Sequence, residues 1–140
     1  METLRSPLQS VSSEQAPHAS GPCSQAILAD AAAGRQYVWS RPIALSPMTS
    51  TVVADGDVRA KTKTGLVRKK LAVVRAATSC RSAQVIKTGI VLTDRADFTT
   101  VNEIDRSARS GSYLPARALV QFTGLPPGVR AEIDAAAVHA

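Results

Sequence analysis

A chain of 140 residues fits one domain, which at this size buries roughly two-thirds of its unfolded surface and needs no disulfide or metal to fold. Apolar residues make up 44% and aromatics 4%, which excludes a disordered chain and leaves Val, Ile, Leu and Ala to build the core. The net charge is +6, and no apolar stretch approaches the roughly 20 residues of a membrane span, so neither a bilayer helix nor an acidic tail is expected.

In chain order, residues 1–10 read as a loose extension and 11–140 as the domain. A first short strand falls at Gln9 to Ser13, followed by a turn-rich piece through Pro17, Gly21 and Pro22. Gln25 to Asp30 and Gln36 to Ser40 form a hairpin across Ala33-Gly34-Arg35. Arg41 to Gly56, with two prolines, is a loop. Asp57 can cap a helix in which Ala60, Thr64, Val67, Leu71, Val74 and Ala77 share one buried face. Gly65 weakens that helix by about 1 kcal/mol relative to Ala. Gln84 to Thr93 carries Val85, Ile86, Ile90 and Val91, as a strand should. Asp94 or Asp97 caps a second helix running to about Ser110, with Val101 and Ile104 inward. Ala118 to Phe122 and Val129 to Val138 are the last strands, split by a turn at residues 124–128. The order is β-β-β-α-β-α-β-β, an α+β domain.

Eight of the basic residues lie between Val58 and Arg81 with no acidic one among them. A solvated helix face explains the run, and a phosphate-binding stripe is the sharper alternative. No aromatic residues interleave with it to stack on bases, which weakens the nucleic-acid reading. Cys23 and Cys80 form no CxxC pair, and His18 and His139 stand at no ligand-like spacing from them, so no metal site is expected. The first twenty residues lack the apolar core of a secretory signal. Arg5 and several serines give the start a trace of a mitochondrial presequence, against which Glu2 and Glu14 argue. A cytoplasmic protein is the expectation.

Four islands then stand out: Gly21-Pro22-Cys23-Ser24-Gln25-Ala26, Asp97-Phe98-Thr99-Thr100-Val101-Asn102-Glu103, Leu114-Pro115-Ala116-Arg117-Ala118, and Ala131-Glu132-Ile133-Asp134-Ala135. In this order and at these spacings the chain resembles the RidA/YjgF family, the reactive intermediate deaminases, over about Val11 to Val138. The resemblance implies a chorismate-mutase-like fold, with two helices on one face of a mixed sheet. It also implies a homotrimer with pockets between subunits, and an activity that needs no cofactor and no metal: hydrolysis of 2-imino acids or their enamines to 2-keto acids and ammonia. By the same resemblance, Arg117 grips the carboxylate of a small-molecule substrate, a task for which a planar guanidinium suits better than an ammonium. Glu132 orients and deprotonates the attacking water. Ser40 helps to hold substrate or water, Asn102 supports the site, and Cys23 takes the pocket position at which most members carry Tyr.

Each assignment has a plainer counterpart. Arg117 at a strand start is commonly a surface residue. Glu132, alternating with Ala131 and Ile133, could point into solvent beside Arg130 and Asp134. Ser40 could be structural. Departures from the family pattern also matter: Cys23 removes a ring wall, and Arg41-Pro42 follows Ser40 where relatives have Gly-Gln. These motivate a second hypothesis, a repurposed pocket acting on another imine or carbonyl compound in a biosynthetic pathway. A third, supported locally by the basic run alone, is an RNA-binding or ribonuclease-like protein.

Overall fold

Alternating apolar residues settle the sheet, and the sheet settles the rest. The computed structural model describes residues 8–14, 21–40, 79, 81–107, 113–125 and 129–139. The loop at 41–56 and the helix expected at 57–77 lie outside the described residues. Six strands form one sheet: β1 (Leu8–Val11), β2 (Ala26–Asp30), β3 (Gln36–Ser40), β4 (Val85–Leu92), β5 (Ala116–Gln121) and β6 (Ala131–His139). They lie side by side as β1-β2-β3-β6-β4-β5. All neighbours run antiparallel except β4 and β5. That parallel pair is joined through helix α1 (Phe98–Ser107), because parallel strands need a long crossover. The mixed sheet is the one the sequence implied, and each strand end falls within two residues of expectation. β1 pairs from Leu8 onward, so the sheet takes in part of the stretch expected to be loose. Among the described residues no helix is long and apolar enough to cross a membrane.

Local chemistry fixes the joints. The β2–β3 hairpin turns at Ala33 (φ 63°) and Gly34 (φ 69°), both left-handed, and the Ala31 amide donates to the Arg35 carbonyl at 2.8 Å. The left-handed region suits Gly; for Ala33 it costs about 1 kcal/mol. Gln25 holds Ser13 at two points, its Oε1 accepting from the Ser13 amide at 2.6 Å and its Nε2 donating to the Ser13 carbonyl at 3.1 Å. Ahead of α1, the Asp94 carboxylate accepts from the Ala96 amide at 2.8 Å. The next acid, Asp97, is buried and paired with Arg130 at 2.8 Å, so the helix start is tied to the entry of β6.

The core has two parts. Ile90, Leu92, Val101, Ile104, Ala131 and Ile133 pack between α1 and the sheet, with Leu119 against them. Val101 and Ile104 face inward as their spacing required. Val38, Val85, Ala135 and Ala137 form the second cluster, with Leu28. A bulge lets Val85 join it: the β4–β6 register slips between Val85 and Lys87, so Ile86 is extra. Val85 and Thr88 therefore both face inward, although strict alternation would oppose them.

Thr88 is fully buried, and among the described residues its hydroxyl has no hydrogen-bond partner. An orphaned buried hydroxyl carries a desolvation penalty of about 1–3 kcal/mol. Thr88→Val keeps the shape and removes that hydroxyl, so it is expected to raise unfolding stability by about 1 kcal/mol in a urea titration. A loss of stability would show that the hydroxyl is satisfied in the folded protein.

Candidate active site

β6 divides the site residues between two faces. Ala131, Ile133, Ala135 and Ala137 belong to the core clusters on the α1 side. Alternation therefore sends Glu132, Asp134, Ala136 and Val138 to the opposite face. Glu132 is nevertheless only 7% exposed. It does not point into solvent, as a plain alternating strand would have it.

Arg117 lies on the other face. It pairs in register with Thr88 of β4, whose side chain points into the core, and its guanidinium Nη1 donates to Asp105 Oδ2 of α1 at 3.3 Å. Asp105 is buried, and the Arg117 side chain is 30% exposed. Asn102 is half-buried and precedes Asp105 by three residues, which places it one turn away on the same side of α1. Arg117, Asp105 and Asn102 thus gather at the β5 edge.

Ser40 is buried at the end of β3. It pairs with Ala135, Ala135 with Thr88, and Thr88 with Arg117, so Ser40 and Arg117 occupy one row across the sheet. Three strand spacings separate them, about 14 Å. A cavity of about 410 Å³ opens beside Ser40, lined among others by Gln25, Ile27, Trp39, Lys87 and Asp134. Neither Arg117, Glu132, Asn102 nor Cys23 lines it. Cys23 is an exposed thiol, its amide donating to the Gly21 carbonyl at 2.7 Å. Within one chain Arg117 and Asn102 therefore share one place, while Ser40, Glu132 and Cys23 each stand apart.

Residues 13–139 match the family model described as "Endoribonuclease L-PSP". The chain belongs to this family, the RidA/YjgF proteins. Among its relatives are the protein DfrA of Myxococcus xanthus, 42% identical over 93% of this chain and 95% of that one, and the 2-iminobutanoate/2-iminopropanoate deaminase of Mus musculus, 41% identical over 92% of this chain and 90% of that one. The crystal structure of E. coli TdcF with bound serine superposes with a TM-score of 0.78 at 28% identity, covering 94% of this chain and 99% of that one.

In this RidA/YjgF protein, two features of the site escaped the sequence reading. Asp105 is the first; its position in the Val101–Ile104 pattern marks it as inward, but an acid on an apolar face is easily passed over. The second is Asp134, whose Oδ1 accepts from the Gly89 amide at 2.8 Å. A Cβ at Gly89 would meet that carboxylate at 2.6 Å. The close approach requires Gly at 89, and only the strand register brings the two residues together.

Proposed function

We propose that this protein hydrolyses reactive 2-imino acids, and their enamine tautomers, to 2-keto acids and ammonia, in sites built between neighbouring subunits of a homotrimer. The likeness to the mouse deaminase along nearly the whole chain carries the reading. The buried carboxylate of Glu132 and the partly exposed guanidinium of Arg117 support it.

Arg117 holds the substrate carboxylate. Nη1 is engaged by Asp105, and a guanidinium has five N–H donors in a planar fork, enough to take a second carboxylate as well. Glu132 serves the water. As its oxygen bonds to the imine carbon, the C=N π pair moves to nitrogen and the carboxylate takes a water proton. Returning that proton to nitrogen gives the carbinolamine; the carboxylate then carries the hydroxyl proton to nitrogen as well, so that the C–N bond breaks, the carbonyl forms and nitrogen leaves as ammonia. No redox change occurs, so the step asks only for positioning and proton transfer.

The two residues leave the sheet on opposite faces, so one chain cannot bring both to a four-carbon substrate. A second subunit can, with Arg117 from one chain and Glu132 from its neighbour. The face that carries Glu132 also exposes Tyr37, Trp39 and Val120, with the Tyr37 and Trp39 ring centroids 5.7 Å apart. An apolar sheet face of this kind fits a subunit contact better than open water.

A repurposed pocket is the second reading. The cavity beside Ser40, walled by Trp39, has room for more than a small imino acid, and Cys23 offers no ring to narrow a neighbouring site. For the RNA reading, Arg81 is the one basic residue of the 58–81 stretch that falls among the described residues, so no surface argument supports it.

With 2-iminobutanoate generated in situ, the parent protein is expected to speed keto-acid formation in competition with a chemical trap. Arg117→Ala should lower kcat/KM about 10- to 100-fold, chiefly through KM, the worth of a charge-assisted carboxylate contact. Glu132→Gln should lower kcat by about 100-fold or more. A folded parent with no acceleration would overturn the deaminase reading and favour the repurposed pocket.

Trp39 is the sole tryptophan and is 48% exposed in the single chain. If this face is the subunit contact, its emission should be blue-shifted and resist acrylamide quenching at assembly-forming concentrations, and should red-shift where light scattering reports monomers. Emission unchanged between the two states would place the contact elsewhere.

A further inference from the structure

We infer that Asp105 is a positioning residue for the substrate-binding arginine: it fixes the Arg117 guanidinium so that the free donors of the fork face the substrate carboxylate. The inference rests on the proposed role of Arg117 as carboxylate anchor.

Three observations carry it. Arg117 stands on β5, the edge strand of the sheet, with its side chain 30% exposed. An arginine in that setting has many rotamers, and a ligand that binds it must first freeze them. Asp105, by contrast, is held by the helix: it sits next to Ile104 and one turn after Val101, both buried in the core, and its own side chain is only 8% exposed. Its carboxylate is therefore a fixed point, and it meets the guanidinium through Nη1 alone, at 3.3 Å. With the backbone at one end and Asp105 at the other, the plane of the fork is set while other donors stay open.

As a stability device the pair is poor. A contact at 3.3 Å to a partly exposed arginine contributes little to stability. Orientation of a binding group explains the arrangement better than stability does. The neutralising charge of Asp105 also means that the site selects a carboxylate by the geometry of the fork rather than by excess positive charge.

The test uses the full-length protein with Asp105→Ala and Asp105→Asn. KM and kcat for 2-iminobutanoate would be measured, with inhibition by 2-oxobutanoate and by its neutral analogue 2-oxobutanamide. Asp105→Ala should raise KM and the 2-oxobutanoate inhibition constant about three- to tenfold, the range for ordering one long side chain on binding, and leave kcat within about twofold. Inhibition by the amide, which has no carboxylate for Arg117, should not change. Asp105→Asn retains an acceptor oxygen and should recover most of the loss. An active parent whose KM is the same with Ala at 105 overturns the inference alone. So does a variant whose kcat falls together with its melting temperature and whose amide inhibition weakens equally, since that marks a structural role. A parent inactive on the imine overturns the deaminase reading and this inference together.

Discussion

The structure depends on one constraint, the two-residue alternation of β6. This strand lies between β3 and β4 and supplies Ala131, Ile133, Ala135 and Ala137 to both core clusters. With those four committed to the α1 side, Glu132 and Asp134 must issue from the other, and no side-chain rotation returns them. A one-residue slip would exchange the two sets, burying two carboxylates in the core and exposing its alanines and isoleucine. The register is therefore fixed by packing, and the position of Glu132, the carboxylate proposed to handle water, follows from it.

Helix α1 is fastened to this sheet at two places by the same means, a buried acid meeting an arginine in a strand or just ahead of one. Asp97, just before the helix, takes Arg130 at 2.8 Å. Asp105, near its end, takes Arg117 at 3.3 Å. The first arginine leads into β6 two residues before Glu132, and the second lies in β5 and is the candidate anchor. Between them, Val101 and Ile104 bury the apolar stripe of the helix. The same short element thus sets both the entry of the strand that carries Glu132 and the direction of Arg117. Such coupling explains why the Asp97–Glu103 island stands out in the sequence although most of its residues touch no substrate in the proposed mechanism.

Much of this was legible beforehand, and the exceptions have physical causes. Strand positions followed from β-branched runs and turn residues, because period-two patterns and Gly or Pro stops are local signals. The family followed from four islands of residues. The pairing of β4 with both β5 and β6 was not legible, since a crossover order depends on contacts between distant segments. Nor was the bulge at Ile86, which looks like one more strand residue. The burial of Glu132 was missed for a related reason: alternation gives the face of a residue but not what covers that face. Asp105 was missed because apolar periodicity counts Val101 and Ile104 and passes over the acid that follows them.

The separation of the candidate residues is itself informative. Ser40 and Arg117 share one row of one face, about three strand spacings apart, while Glu132 occupies the reverse face. A 2-imino acid of four carbons is far smaller than these gaps, so in a monomer the proposed anchor Arg117 and the proposed base Glu132 cannot meet one substrate. Symmetry removes the difficulty. In the closed ring proposed above, each chain would present the surface that carries Arg117 to one neighbour and the surface that carries Glu132 to the next, so that every contact would join the two. The exposed Tyr37, Trp39 and Val120 lie on the same face as Glu132, where such a contact would bury them. On this view assembly is part of the chemistry: a change that weakens the subunit contact removes activity even when both residues are intact and each chain keeps its fold.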